Sequence, residues 1–166
     1  MGLETPATAA LWLLIFASPV CLWVAWSDLR TMKIPNKAVV ALVCVYLVVG
    51  LAVLPPPDYL WRLSHLAILL VIGIGANAAG LMGAGDAKFI AAAGPFVALG
   101  DASVVMLILA GMLLAAYPTH RLARMSPLRR LAPDWESWHS GRRFPMGFAL
   151  GPALALYLGL AATYGA

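Results

Sequence analysis

Charged residues are scarce in this sequence. Lys, Arg, Asp and Glu make up 11% of its 166 residues, whereas a typical soluble domain carries about a quarter. Apolar residues account for 63%, and the mean hydropathy is +0.89. A water-soluble core cannot enclose that much apolar surface. The composition therefore excludes an ordinary soluble domain and predicts an all-α, polytopic membrane protein whose solvent is the lipid bilayer.

Cysteine is also rare, and basic residues are missing from the first part of the chain. Cys21 and Cys44 both lie inside apolar runs and form no CxxC motif, so the sequence supports no zinc site and indicates no metal or organic cofactor. Glu4 but no Lys or Arg precedes the first apolar run, and that run is longer than a normal signal-peptide core. We expect it to be a retained membrane span.

Long apolar stretches are what the sequence has in abundance. Six of them predict about six transmembrane helices in one membrane-embedded domain, 1–166, with a polar loop at about 120–143. Because residues 89–100 would reach only about 18 Å as a helix, this stretch either begins below the membrane surface or uses residues 84–88 as its first turn. The predicted spans are 7–26, 38–54, 63–82, 89–100, 102–117 and 144–164.

The basic residues are distributed unevenly between the two sides of these spans. If the N-terminus lies outside, Arg62 is the only one of the eleven Lys and Arg residues that does not face the cytoplasm. Cytoplasmic loops collect Lys and Arg, so the count predicts this orientation. The net charge of +4 is then explained by cytoplasmic loops, and no nucleic-acid partner is predicted.

Two aspartates fall on the same predicted boundary. Asp28 ends the first span on the cytoplasmic side, and two crossings later the chain returns to that side at Asp86. Two neighbouring carboxyls cannot both ionise easily and share a proton. Such a pair can activate water and protonate a carbonyl oxygen, which is general acid–base hydrolysis of a peptide bond. The same acids could alternatively serve a small proton-coupled transporter.

The residues around each aspartate sharpen this hypothesis. Gly83-Ala84-Gly85-Asp86-Ala87-Lys88 has the pattern Gly-x-Gly-Asp-x-Lys, and its glycines allow close backbone approach and positive φ angles just before the acid. Asp28 is followed by a Lys33-Ile34-Pro35-Asn36 turn. Lys33 and Lys88 are candidates for attracting acidic substrate residues or for acting on an aspartate through their charge.

These motifs together resemble the type IV prepilin peptidase family of Gly-x-Gly-Asp membrane proteases. The Phe144-Pro145-Met146-Gly147 segment is similar to that family's Pro-x-Gly entry into the last helix. The resemblance implies an aspartic endopeptidase with Asp28 and Asp86 as its catalytic pair. Gly83, Gly85, Lys88, Lys33, Pro35 and Asn36 would shape the site or bind substrate. A preflagellin- or presenilin-like peptidase is the alternative within this class.

The resemblance also implies partners and location. The enzyme would cleave the leader of prepilin or pseudopilin precursors at the cytoplasmic face of a bacterial inner membrane, with the pilus assembly machinery as a further partner. Larger family members carry a cytoplasmic segment with paired CxxC motifs that is linked to N-methylation, and this sequence has no such motif. It resembles the short form of Flp-type, tight-adherence pilus systems, for which we expect cleavage without methylation.

Overall fold

The computed structural model describes residues 2–141 and 143–166, which are helical apart from loops and one isolated bridge between Leu3 and Gly165. The all-α prediction is confirmed. The second helix contains a π-helical segment, and short 3-10 turns join the later helices. The helices are α1 (Ala7–Thr31), α2 (Asn36–Val53), α3 (Pro56–Ala78), α4 (Ala84–Ala93), α5 (Ala102–Met125) and α6 (Gly147–Tyr164).

Among the described residues, five helices are long and apolar enough to cross a membrane, and α4 is the exception. The predicted count of six spans is therefore not confirmed. Helix α4 begins at Ala84, so residues 84–88 do form its first turn, but it is only ten residues long. It gives way to a 3-10 turn at Gly94–Phe96. Pro95 explains the change, because proline has no N–H to continue the helical ladder.

The short fourth segment nevertheless carries the chain from one end of the bundle to the other. Asp86 lies at the end that contains Asp28, because its neighbour Gly85 packs against Ile34 in the turn that follows α1. Asp101 lies at the opposite end, where it accepts a hydrogen bond from the Glu4 N–H at 2.8 Å. The described chain ends also meet there, because Leu3 N–H donates to the Tyr164 carbonyl at 3.1 Å. The described chain therefore begins and ends at the same end of the bundle.

The core is built around the close packing of α1 on α6. Gly151 in α6 lies against the backbone of Cys21 in α1, and a Cβ atom there would collide with the Cys21 carbonyl. Alanines such as Ala17 and Ala153 continue this buried contact. Small residues let helix backbones approach closely, which is the usual basis of helix association in a bilayer.

A buried polar network closes the bundle at the end where the chain termini meet. Asp101, only 3% exposed, accepts hydrogen bonds from Thr5 N–H at 3.1 Å and from the Tyr157 hydroxyl at 2.7 Å. Arg62 is also buried and donates to Thr5 Oγ1 at 3.1 Å. Arg62, the one basic residue on the predicted outer side, therefore takes part in internal hydrogen bonding that satisfies buried polar groups.

The segment between α5 and α6 folds back on the end of the bundle that contains Asp28. Helix α5 continues to Met125, so the first part of the predicted 120–143 loop is helical. Beyond it, Trp138 stacks on His120 with ring centroids 5.0 Å apart, and Trp135 packs edge-on against Trp26 of α1 at 5.1 Å. These aromatic contacts hold the segment beside the end of α1.

Candidate active site

Asp28 lies in the last turn of α1 and is 5% exposed. Its Oδ2 accepts a hydrogen bond of 2.6 Å from the backbone N–H of Gly147, the first residue of α6. A helix N-terminus carries unpaired N–H groups and a partial positive charge, both of which favour a carboxylate. The contact leaves little space, because a Cβ atom on Gly147 would lie 3.0 Å from both Asp28 Cβ and Oδ2.

The turn after Asp28 is fixed by its own backbone. Met32 adopts a left-handed conformation with φ of 52°, and its N–H donates to the Asp28 carbonyl at 2.9 Å. A positive φ is uncommon for a residue other than glycine. Ser27 Oγ donates to the Lys33 carbonyl at 3.0 Å, and Pro35 then caps the start of α2. The predicted Lys-Ile-Pro-Asn turn thus connects α1 directly to α2.

Asp86 lies in the first turn of α4 and is half-buried. A Cβ atom on Gly83 would lie 2.7 Å from Asp86 Oδ2, and one on Gly85 would lie 3.3 Å from Ile34 Cβ. The predicted close approach at both glycines is therefore present. Burial raises the pKa of the Asp86 carboxyl above its ordinary value, and a backbone hydrogen bond with Gly83 acts in the opposite direction as the smaller effect.

The positive φ angles that glycine allows are not adopted before Asp86. Gly83 has φ of −68° and caps α4 in an extended conformation, whereas Gly85 lies within the helix. The positive-φ glycines of the described chain are Gly80 and Gly141. The glycines at 83 and 85 are needed for space rather than for a left-handed turn, because their missing side chains make room for the Asp86 carboxyl and for Ile34.

The structure brings the two predicted aspartates to the same end of the bundle from separate helices. Gly85, next to Asp86, lies against Ile34 in the turn that follows Asp28. A cross-link between α4 and α2 lies nearby, in which Lys88 Nζ donates to Asn36 Oδ1 at 3.1 Å. Lys33 is exposed in the turn, and its carbonyl rather than its ammonium group makes the hydrogen bond described above. Gly147 also belongs to the site, through its N–H; the Pro-x-Gly segment resembled a family motif but gave no sign of this role.

A cavity of about 440 Å³ opens beside this site. Met32 lies at its border four residues after Asp28, and Arg143 lies there four residues before Gly147. Within the described ranges, no cluster of three or more His, Cys, Asp or Glu residues could hold a metal ion. The lining residues are Met32, Asp134, Glu136, His139, Ser140 and Arg143.

Comparison with protein families decides the assignment. A model of the type IV leader peptidase family matches residues 13–119, more than half of the chain and including both aspartates. The chain belongs to the type IV leader peptidase family. This membership confirms the resemblance seen in the sequence and supports a leader peptidase function in general. No curated protein and no solved structure gives a significant match to the chain.

Proposed function

We propose that this type IV leader peptidase family member is a membrane aspartic endopeptidase in which Asp28 and Asp86 are the catalytic pair. One observation carries the proposal: two acids 58 positions apart in the sequence lie at the same end of the helical bundle, where the start of α4 packs against the turn that follows Asp28. Acidic groups at membrane depth are costly and are retained mainly where they serve a function. Family membership then favours peptide hydrolysis over proton transport.

The chemistry follows from two carboxyls that share one proton. The ionised carboxylate removes a proton from water as the water oxygen attacks the scissile carbonyl carbon. The protonated carboxyl donates its proton to the carbonyl oxygen, giving a tetrahedral diol. Breakdown of the diol breaks the C–N bond: the acid formed in the first step gives its proton to the leaving nitrogen, and the other carboxylate removes a proton from a diol hydroxyl as the carbonyl re-forms. The pair finishes with one shared proton, ready for another cycle.

The proposed substrates are prepilin or pseudopilin precursors of a bacterial inner membrane. Their apolar helix would lie in the bilayer beside the enzyme, which presents the leader junction to the site at the membrane boundary. We place the site on the cytoplasmic face, with the N-terminus outside, because ten of the eleven basic residues then face the cytoplasm. The proposed reaction ends with leader removal and adds no methyl group, as in the Flp-type short form.

The proposal is tested by coexpression with a candidate prepilin and measurement of leader loss on a gel. Asp28→Asn and Asp86→Asn should each reduce cleavage by at least about a hundredfold, because an amide can neither accept nor donate the shared proton. The double variant should be no worse than either single variant, since residues that act as a unit are not additive.

Asp58→Asn is the matched control, because Asp58 is exposed at the start of α3, towards the opposite end of the bundle. It should cleave at the normal rate. All variants are compared at equal levels of inserted protein. Substantial cleavage by Asp28→Asn or Asp86→Asn alone would refute the paired-aspartate mechanism.

A further inference from the structure

Three arginines converge where α5 ends, at a position separate from the two aspartates. They border a cavity of about 370 Å³. Within the described residues, its lining contains three guanidinium groups and no carboxylate. Arg124 is held in place by a hydrogen bond of 3.0 Å to the Gly141 carbonyl. The lining residues are Arg124, Met125, Ser126, Arg129, Arg130 and Pro133.

The acids of the same segment face a different cavity. Asp134 and Glu136 line the 440 Å³ cavity beside Met32 and Arg143. Positive and negative charge are thus segregated over a few residues of chain. The arginine-lined cavity is left with a local excess of positive charge, which is suited to an anion.

The length of α5 would place the cavity where a bilayer changes from hydrocarbon to headgroups, with Ala102 at the opposite boundary. From Ala102 to Arg124 the helix rises about 33 Å, slightly more than the hydrocarbon thickness of about 30 Å. Large apolar side chains next to the arginines are exposed: Met125 is 85%, Leu128 59% and Leu131 83% exposed. At this depth, these side chains would contact acyl chains rather than water.

We infer that this cavity binds the phosphate headgroup of an anionic phospholipid. Guanidinium groups match phosphate oxygens with paired, charge-assisted hydrogen bonds. The exposed apolar side chains beside them provide a surface for the acyl chains of a lipid. A soluble phosphate has no acyl chains and would leave this surface unused. Bound lipid would anchor the 3-10 turn Pro127–Leu131 to the membrane. This inference does not depend on the proposed peptidase activity.

The test uses the full-length protein in nanodiscs of phosphatidylcholine mixed with phosphatidylglycerol. Native mass spectrometry then counts the phosphatidylglycerol molecules that remain bound to the protein after it is released from the nanodisc. The double variant Arg129→Gln/Arg130→Gln should lower phosphatidylglycerol affinity by at least about tenfold, because each arginine contributes charged hydrogen bonds. Retention of phosphatidylcholine, which has no net charge, should be unchanged.

The matched control is Arg30→Gln/Arg121→Gln, which removes the same charge from two exposed arginines outside the cavity. It should keep nearly the wild-type affinity for phosphatidylglycerol. An equal loss in this control would show diffuse electrostatic attraction and overturn the inference. Glycerol phosphate, which has the headgroup phosphate but no acyl chains, should not displace the lipid at equal concentration. Displacement at equal concentration would assign the cavity to a soluble anion instead.

Discussion

Asp28 is oriented by the backbone of a distant helix. The hydrogen bond from Gly147 spans 119 positions of sequence and is buried. A backbone donor at a helix end is rigid, so it fixes the carboxylate more firmly than a flexible cationic side chain would. The position of α6 relative to α1 therefore sets the geometry of the candidate catalytic pair.

We predict that Gly147→Ala will reduce leader cleavage by roughly a hundredfold, because a displacement of about 1 Å at a catalytic group can have this effect. The added Cβ atom would lie 3.0 Å from Asp28 Cβ and Oδ2, so either the carboxylate or the start of α6 must move. The measurement is the initial rate of prepilin cleavage by the purified variant in detergent or nanodiscs.

Gly159→Ala is the control for this substitution, since it lies on the same helix and its added Cβ atom would meet nothing within 4 Å. It should retain the normal rate, and the helix should be slightly more stable. Cleavage by Gly147→Ala within about twofold of wild type would contradict the role given to Gly147.

The two aspartates could be predicted from the sequence, whereas Gly147 could not. Asp28 and Asp86 each lie at the boundary of an apolar stretch, and counting the crossings between them places both on one side. In the structure, the start of α4 and the end of α1 lie at the same end of the bundle. Gly147 acts through its N–H, a group that every residue except proline carries. Only the packing of α6 against α1 selects this N–H as the partner of Asp28.

At the scale of whole helices, the long apolar spans were predictable and α4 was the difficult one. A span of 18 residues or more is long enough to leave few alternatives. Residues 89–100 are as apolar as the long spans, but Gly94-Pro95 divides this stretch into the end of α4 and two 3-10 turns. The helix starts earlier, at Ala84, because Gly83 provides its cap. Hydropathy indicates whether a segment lies in lipid or in water, but it does not show at which residue a helix ends.

Helix α4 also shows which property of glycine the motif uses. The sequence pattern Gly-x-Gly-Asp is compatible both with a left-handed turn and with tight packing. The structure uses the second option, with Gly85 against Ile34 and Gly73 of α3 against Ala87. A Cβ atom added to Gly73 would lie 3.0 Å from the Cβ atom of Ala87. These contacts hold α4, and with it Asp86, between α2 and α3.

For the whole molecule, we predict that Asp58 and the site lie on opposite sides of the membrane. Single-cysteine variants made after replacing Cys21 and Cys44 would carry Asp58→Cys, Lys33→Cys or Arg130→Cys, all at exposed positions. A membrane-impermeant maleimide should label position 58 in cells with only the outer membrane opened. Positions 33 and 130 should react only after lysis, because cytoplasmic loops collect basic residues.

Labelling of positions 58 and 130 from the same side would contradict the orientation. It would also contradict the fold, in which the start of α3 and the segment after α5 lie towards opposite ends of the bundle. Equal labelling of 33 and 130 from outside would leave the fold intact and reverse the orientation alone. The experiment thus separates the bundle geometry from its direction in the membrane.

The last prediction concerns methylation, and it follows from how little chain lies outside the bundle. The connection between α1 and α2 is residues 32–35, too short to fold into a pocket for a methyl donor. The segment between α5 and α6 is longer, but it contains no cysteine, and its tryptophans are engaged against α1 and α5. We therefore expect mature pilin with a free N-terminal amine.

The measurement is mass spectrometry of pilin from cells in which this protein is the sole leader peptidase. Cells carrying Asp28→Asn supply the uncleaved reference. A methylated N-terminus that depends on this protein would show that it has a second activity.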